Sequence, residues 1–421
     1  MHMLRDVFWM GLSSVVRLGT GLALFVLIAR HLGPEEFGHY MFWYTTTLLC
    51  SVIANYGLGN MLLKEIAQHP VNAANILGQV LSLRLILFTI ILMCTIIAAT
   101  LVDRPDMLLM FLFAHFFDIL AETFYAAYRS LGHYAYETRL ATVAAVEQLA
   151  LVAFAVFAHQ TTGIVAFAYL AGRIFQMIPI LLSAKRTMGA FPLHSPRTAF
   201  KLAMHTKAYA LDALFVSTFG NIDNIILRFF TGVDTVGIYQ SGMRVFQGGW
   251  KAVPILSNVF LPTMARQIPY KEKKIQTAFA LQITFLVFGI TFGLAMAYFP
   301  EYITKLFGES YSSLTALLPF FGLLFLVRYF IAGWGNILVA ENQQTYRAMS
   351  TGIHLLVILT LGSYLTYEFN VQGWLVTLIL ANLLLGILYM IRAVRLGYTA
   401  SAKISLTAVI AGGLLFIPKI C

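Results

Sequence analysis

The chain has 421 residues, of which 59% are hydrophobic and only 11% charged, well below the roughly 25% charged of an average soluble domain. Its formal charge of +10 is spread over short segments between apolar runs, with no basic patch interleaved with aromatics, so nucleic-acid binding is excluded. The three cysteines, with Cys50 and Cys94 inside apolar runs and Cys421 at the end, give neither a disulfide framework nor metal-ligand spacing.

Apolar runs such as Leu85 to Leu101 recur along the whole chain, each near the ~20 residues that cross a bilayer. The chain therefore reads as an all-α polytopic membrane protein in which the helices carry the function. The first run, 7–29, contains Ser13, Ser14 and Arg17 and exceeds the apolar core of a signal peptide, so it is expected as a retained span. Spans 39–61, 79–101, 107–128, 140–159 and 162–184 complete an N-terminal six-helix bundle, 1–184. A linker over 185–207, with Lys185, Arg186, Pro192, Pro196, Arg197, Lys201 and Lys207, follows. Spans 208–230, 236–260, 276–299, 314–337, 347–367 and 373–391 make a C-terminal six-helix bundle, 208–393. The remainder, 394–421, holds a thirteenth, shorter apolar run at 403–419.

Orientation follows from lysine and arginine. With the amino terminus inside, the inner loops hold Lys64, Arg129, Arg139, the linker bases, Arg266, Lys271, Lys273, Lys274, Arg347, Arg392, Arg395 and Lys403. The outer side holds only Arg30, Arg104, Arg228 and Lys305, plus Lys419 if the last run crosses. That asymmetry places the amino terminus and the linker in the cytoplasm.

An internal repeat relates the halves. Gly33-Pro34-Glu35-Glu36-Phe37-Gly38-His39-Tyr40 follows span 1, and Gly232-Val233-Asp234-Thr235-Val236-Gly237-Ile238-Tyr239 follows span 7. Both fall on the outer side, so the repeat is parallel. Two roles stay open for the motif: a helix stop with an interfacial tyrosine anchor at Tyr40, or a hinge between moving bundles.

The stretch Arg30 to Tyr40, with Tyr56-Gly57-Leu58-Gly59 before Lys64-Glu65, resembles bacterial O-antigen flippases. These are lipid-linked oligosaccharide transporters of the multidrug/oligosaccharidyl-lipid/polysaccharide exporter superfamily. The resemblance implies passage of an undecaprenyl-pyrophosphate-linked oligosaccharide from the cytoplasmic to the periplasmic leaflet by alternating access. It also implies a place in the bacterial inner membrane, beside a polysaccharide polymerase and chain-length machinery.

Charges at membrane depth carry the rest, because each costs about 2.5–3.5 kcal/mol to insert. Gln240, Arg244, Gln247 and Lys251 share one face of span 8 by i, i+4, i+7, i+11 spacing. His115, Asp118, Glu122 and Arg129 share a face of span 4, and Ser217, Asn221, Asn224 and Arg228 one of span 7. Arg17, Arg84, Arg173 and Arg328 add further bases. With the flippase resemblance in view, Arg17, Arg84, Arg173, Gln240, Arg244, Gln247, Lys251, Arg328, Asn221 and Asn224 become candidates for a pyrophosphate and sugar cleft, since a guanidinium donates paired hydrogen bonds to phosphate. The plainer reading is that the charges pair, Arg17 or Arg244 with Asp118 or Asp223, while Arg84 and Arg173 snorkel.

No cofactor is expected. There is no GxxxxGK[ST] phosphate loop, so active transport would use an ion gradient, H⁺ or Na⁺, at Asp118, Glu122, Glu147 or Asp223. Asp212 lies nearer the inner end of span 7. A cation-coupled multidrug exporter is the alternative in the same superfamily. A membrane glycan enzyme such as an O-antigen polymerase is disfavoured by short outer loops and by the absence of HExxH and GxSxG strings.

Overall fold

The computed structural model describes residues 2–158, 161–254, 256–257, 260, 264 and 271–420, and the described residues are helices joined by short turns. The inner end of span 8, the loop with Arg266, and the side chains of Asp212 and Lys271 lie outside what is described. Nine helical runs among the described residues are long and apolar enough to cross a membrane.

The chain forms two compact units, one of residues 1–32 and 36–225, the other of 33–35 and 226–421. In the first unit α1 runs His2–Asn55 through a break at Gly33, where φ is 74° and ψ is 173°. Only glycine occupies that backbone region readily, so spans 1 and 2 are two crossings sharing one helical run. Then follow α2 (Leu58–Gln68), α3 (Ala73–Ala99), α4 (Pro105–Ser130), α5 (Tyr134–Phe157), α6 (Thr162–Phe175) and α7 (Met177–Met188). Two expected spans are interrupted: the second between α1 and α2 at Tyr56-Gly57, and the sixth at Gln176 between α6 and α7.

Helix α8, Pro196–Phe230, is 35 residues long. The second half of the expected linker is therefore helical. Proline at the first helical position costs no hydrogen bond, and nothing in Arg197 to Lys207 breaks a helix.

The second unit holds α9 (Val233–Trp250), α10 (Lys271–Tyr298), α11 (Pro300–Phe307), α12 (Leu314–Ala340) and α13 (Gln344–Arg395). Helix α13 contains both expected spans 11 and 12, broken at Phe369 and Asn370, where φ turns to 53°. The thirteenth run forms α14 (Thr399–Leu414) and the single turn α15 (Ile417–Ile420). It is built into this unit. Phe416 is fully buried where Gly293 of α10 and Gly322 of α12 bring their backbones together, the small-residue packing expected when lipid supplies no hydrophobic drive.

The repeat is visible in the backbone. Gly232, ahead of α9, has φ 107° and ψ 176°, close to Gly33. The motif tyrosines are not interfacial anchors, however. Tyr40 and Tyr239 are fully buried, Tyr40 edge-on to Phe111 at 4.7 Å and Tyr239 accepting from Trp374 Nε1 at 3.3 Å. Each follows its glycine by seven residues, about two helical turns, on the inward face, where an aromatic fills a large share of core.

Candidate functional site

Four helices of the first unit, α1, α4, α5 and α6, converge on a polar interior. The i, i+4 spacing on α4 presents Asp118 and Glu122 along one stripe, and each meets an arginine. Asp118 Oδ1 accepts from Arg173 of α6 at 2.8 Å. Glu122 accepts from Arg17 of α1, and its other oxygen lies 3.5 Å from Arg129. Glu137, at the start of α5, lies 3.4 Å from Arg129 and 3.9 Å from Arg17. Arg17 and Arg129 are thus shared between two carboxylates. The partner of Arg17 is Glu122 and not Asp118 or Asp223.

Above this network lies a cavity of about 230 Å³ lined by Arg17, Asp118, Arg173, Gln148, Gln176 and the rings of Phe25, Tyr44, Tyr125 and Tyr169. Arg173 also donates to Tyr169 Oη at 2.9 Å and lies over that ring. Arg17 lies over Tyr125 with its guanidinium carbon 5.7 Å from the centroid. His115, deeper on α4, hydrogen-bonds the Tyr44 carbonyl at 2.8 Å. Arg173 therefore faces a cavity inside the unit and does not snorkel.

Arg84 is different again. It is 2% exposed and shares no cavity with Arg17 and Arg173. Its guanidinium donates to the Asn55 side chain at 2.8 Å, the Asn55 carbonyl at 3.2 Å, the Ile119 carbonyl at 3.0 Å and Thr123 Oγ1. It ties the ragged end of α1 to α3 and α4. Neither snorkelling nor ligand contact describes that geometry.

Asn221 caps back onto the Ser217 carbonyl at 2.9 Å, and Asn224 donates to Thr45 Oγ1 at 2.5 Å. Asp223 is buried, with its carboxylate accepting the Asn224 backbone N–H at 2.9 Å. Glu147, half-buried on α5, has no ion-pair or hydrogen-bond partner among the described residues.

In the second unit the α9 stripe runs from buried Gln240, through half-buried Arg244 and Gln247, which touch at 3.4 Å, to exposed Lys251 at the helix end. Gly249 lets Phe325 of α12 pack against the backbone. Arg328 of α12 lies over Trp250, 5.6 Å from the ring centroid. Across 236–260, 276–299, 314–337, 347–367 and 373–391 there is not one Asp or Glu. The first unit meets Arg17, Arg129 and Arg173 with carboxylates, while Arg244, Lys251 and Arg328 stand in spans whose own sequence holds no acid.

Reading the sequence for ionisable residues at membrane depth found Asp118, Glu122, Arg17 and Arg173. It missed Glu137, which looks like a loop residue beside Arg139, and it missed the uncharged lining of Tyr44, Tyr125, Gln148, Tyr169 and Gln176. The i, i+4 pairing of Tyr169 with Arg173 was available as a signal.

Residues 3–268 match a protein family described as polysaccharide biosynthesis protein. No curated protein matches the sequence. Among solved structures, the chain is similar to an inward-facing multidrug resistance MATE family transporter of the MOP superfamily, with TM-score 0.71 and 15% identity over 92% of this chain and 99% of that one. A MOP superfamily transporter from Pyrococcus furiosus, described as having a binding pocket of reverse polarity, gives TM-score 0.63 and 15% identity over 95% and 96%. A eukaryotic MATE transporter gives 0.61 and 10% over 97% and 100%. At such identities the likeness is one of fold.

Proposed function

Because the chain belongs to the polysaccharide biosynthesis protein family, we propose that it is a flippase for an undecaprenyl-pyrophosphate-linked oligosaccharide, such as an O-antigen repeat unit. The chain is a multi-pass membrane transporter of the MOP superfamily. In this reading it works in the bacterial inner membrane, amino terminus in the cytoplasm, by alternating access, and hands its cargo to a polysaccharide polymerase.

The observation that carries the reading is the family match over residues 3–268, to which the basic residues of the second unit's spans add chemistry suited to a phosphate. Arg244, Lys251 and Arg328 stand in spans whose own sequence holds no Asp or Glu, and an ionisable side chain at membrane depth marks a candidate ligand site. A pyrophosphate suits it, since guanidinium groups donate paired bonds to phosphate oxygens. Coupling to H⁺ or Na⁺ would fall first to Glu147, the half-buried carboxylate with no cation beside it among the described residues, ahead of Asp118 and Glu122, whose charges are already met by arginine.

A second reading, cation-coupled multidrug export, is favoured by the aromatic wall of the first-unit cavity, Phe25, Tyr44, Tyr125 and Tyr169, which suits an amphiphilic cation. Deleting the gene and labelling the lipid-linked oligosaccharide leaflet by leaflet separates the two. Precursor trapped on the cytoplasmic face, rescued by the wild type and not by Arg244→Ala with Lys251→Ala, supports the flippase. Unchanged precursor with heightened sensitivity to cationic drugs supports the exporter.

A further inference from the structure

Helix α8 is too long for its span. Its 35 residues extend about 52 Å at 1.5 Å per residue, against a hydrocarbon core of ~30 Å. With 208–230 in the membrane, roughly one third of the helix, beginning at Pro196, stands outside.

That end has three faces. Ala199 and Thr206 point into the unit and are buried, and Tyr56 Oη donates to the Ala203 carbonyl at 3.1 Å. Phe200, Met204, Lys207 and Leu211 fall on a second stripe by i, i+4, i+7, i+11 spacing, with Phe200 66% and Met204 51% exposed. Between these lie Arg197, Lys201 and His205, all exposed. The chain ahead of the helix is fastened too: His194 N donates to Ser82 Oγ at 2.7 Å, and the Pro192 carbonyl presses on Gly78.

Under the His205 edge is a second cavity, about 260 Å³, between α2, α3 and α8. Its polar lining is Lys64, Glu65, Gln79, His205, Thr206 and Tyr209, and its apolar floor includes Met61, Val80 and Leu202. Glu65 is the one acid there. From Lys185 through Leu211 the sequence has five lysines and arginines and no Asp or Glu.

We propose that this end of α8, with the cavity beside it, is a docking surface for anionic phospholipid of the bilayer face on which it lies. Phe200 and Met204 enter the boundary between headgroups and acyl chains. Arg197, Lys201 and Lys207 meet the lipid phosphates, and Lys64 with His205 holds one headgroup in the cavity. A basic helix with an exposed apolar edge, fixed at the level of the headgroups, has the form that binds anionic membrane surfaces. The surface is separate from the cavity around Asp118 and Arg173, and its binding does not require that the protein transport anything.

The test uses the full chain purified in detergent and titrated with phosphatidylglycerol or phosphatidylcholine, bound lipid being counted by native mass spectrometry. Phosphatidylglycerol is expected to bind in preference. Lys64→Gln with Lys201→Gln should weaken it roughly twenty-fivefold, from about fivefold per charge removed, and leave phosphatidylcholine unchanged. Lys305→Gln, at an exposed site in the other unit, should change neither. Equal binding of the two lipids by the wild type overturns the proposal, as does a double variant that retains the preference. Displacement of phosphatidylglycerol by inorganic phosphate alone would show a free-anion site in its place and overturn it equally. The substituted side chains are exposed, and a melting curve on the same samples verifies that the variants fold.

Discussion

Replacing Arg84 by methionine separates a structural arginine from a ligand-binding one. The side chain is 2% exposed and donates to Asn55 twice, to Ile119 and to Thr123. Thr123 Oγ1 itself donates to the Ile119 carbonyl at 2.7 Å, so that oxygen keeps a partner. The two Asn55 oxygens lose the guanidinium, at about 1–3 kcal/mol each. Relief from burying a cation offsets part of this, leaving a net loss of about 2–3 kcal/mol. For a unit of this size that lowers the melting temperature by about 4–12 °C. Arg84→Lys should do no better, because an ammonium keeps the buried charge and cannot span acceptors on α1 and α4 at once. The assay is thermal unfolding of the detergent-purified chain, followed by transport normalised to folded protein. A methionine variant that melts like the wild type but transports nothing would refute this reasoning, and so would rescue of transport by lysine, as a phosphate ligand requires.

Glu137→Gln leaves Arg17 and Arg129 short of a carboxylate that is 2% exposed, and should destabilise the first unit by about 3–5 kcal/mol. Glu122→Gln, whose side chain is 38% exposed, should cost clearly less in the same melting assay. Gly57→Ala combines a φ of 63° with a Cβ that would sit 2.2 Å from the Tyr209 carbonyl, so folded yield should collapse. Gly33→Ala, with no atom within 4 Å, should show only a backbone cost of about 1–3 kcal/mol. In the second unit, buried Lys274 lies 2.7 Å from Glu341, which also accepts from Tyr398 Oη at 2.5 Å. Lys274→Met should lower the melting temperature, and adding Glu341→Gln should recover part of it, since the lone charge is what costs. Additive losses in that double-mutant cycle would refute the coupling.

The candidate site was legible only in part. Asp118, Glu122, Arg17 and Arg173 stand out because charge inside an apolar run is rare and costly. The cavity they line was not legible, since its walls are tyrosines and glutamines that any helix tolerates. Arg84 and Arg173 look alike in sequence, each a lone arginine in an apolar span. Only the neighbours that packing brings to them separate a tie between helices from a cavity-facing charge.

Class, approximate span positions and the internal repeat were legible in the residues alone, because crossing a bilayer imposes a length and a composition on each segment locally, although not the breaks at Tyr56-Gly57 and Gln176. The absence of Asp and Glu from the five spans between 236 and 391 is equally plain in the residues themselves. Tertiary structure decided which arginine meets which carboxylate, whether Tyr40 anchors or packs, and that the linker continues as helix along the first unit. Those outcomes depend on contacts between residues far apart in the chain, from Arg173 with Asp118 to Arg17 with Glu122 and Tyr56 with Ala203. No local pattern encodes such pairings until the helices have packed.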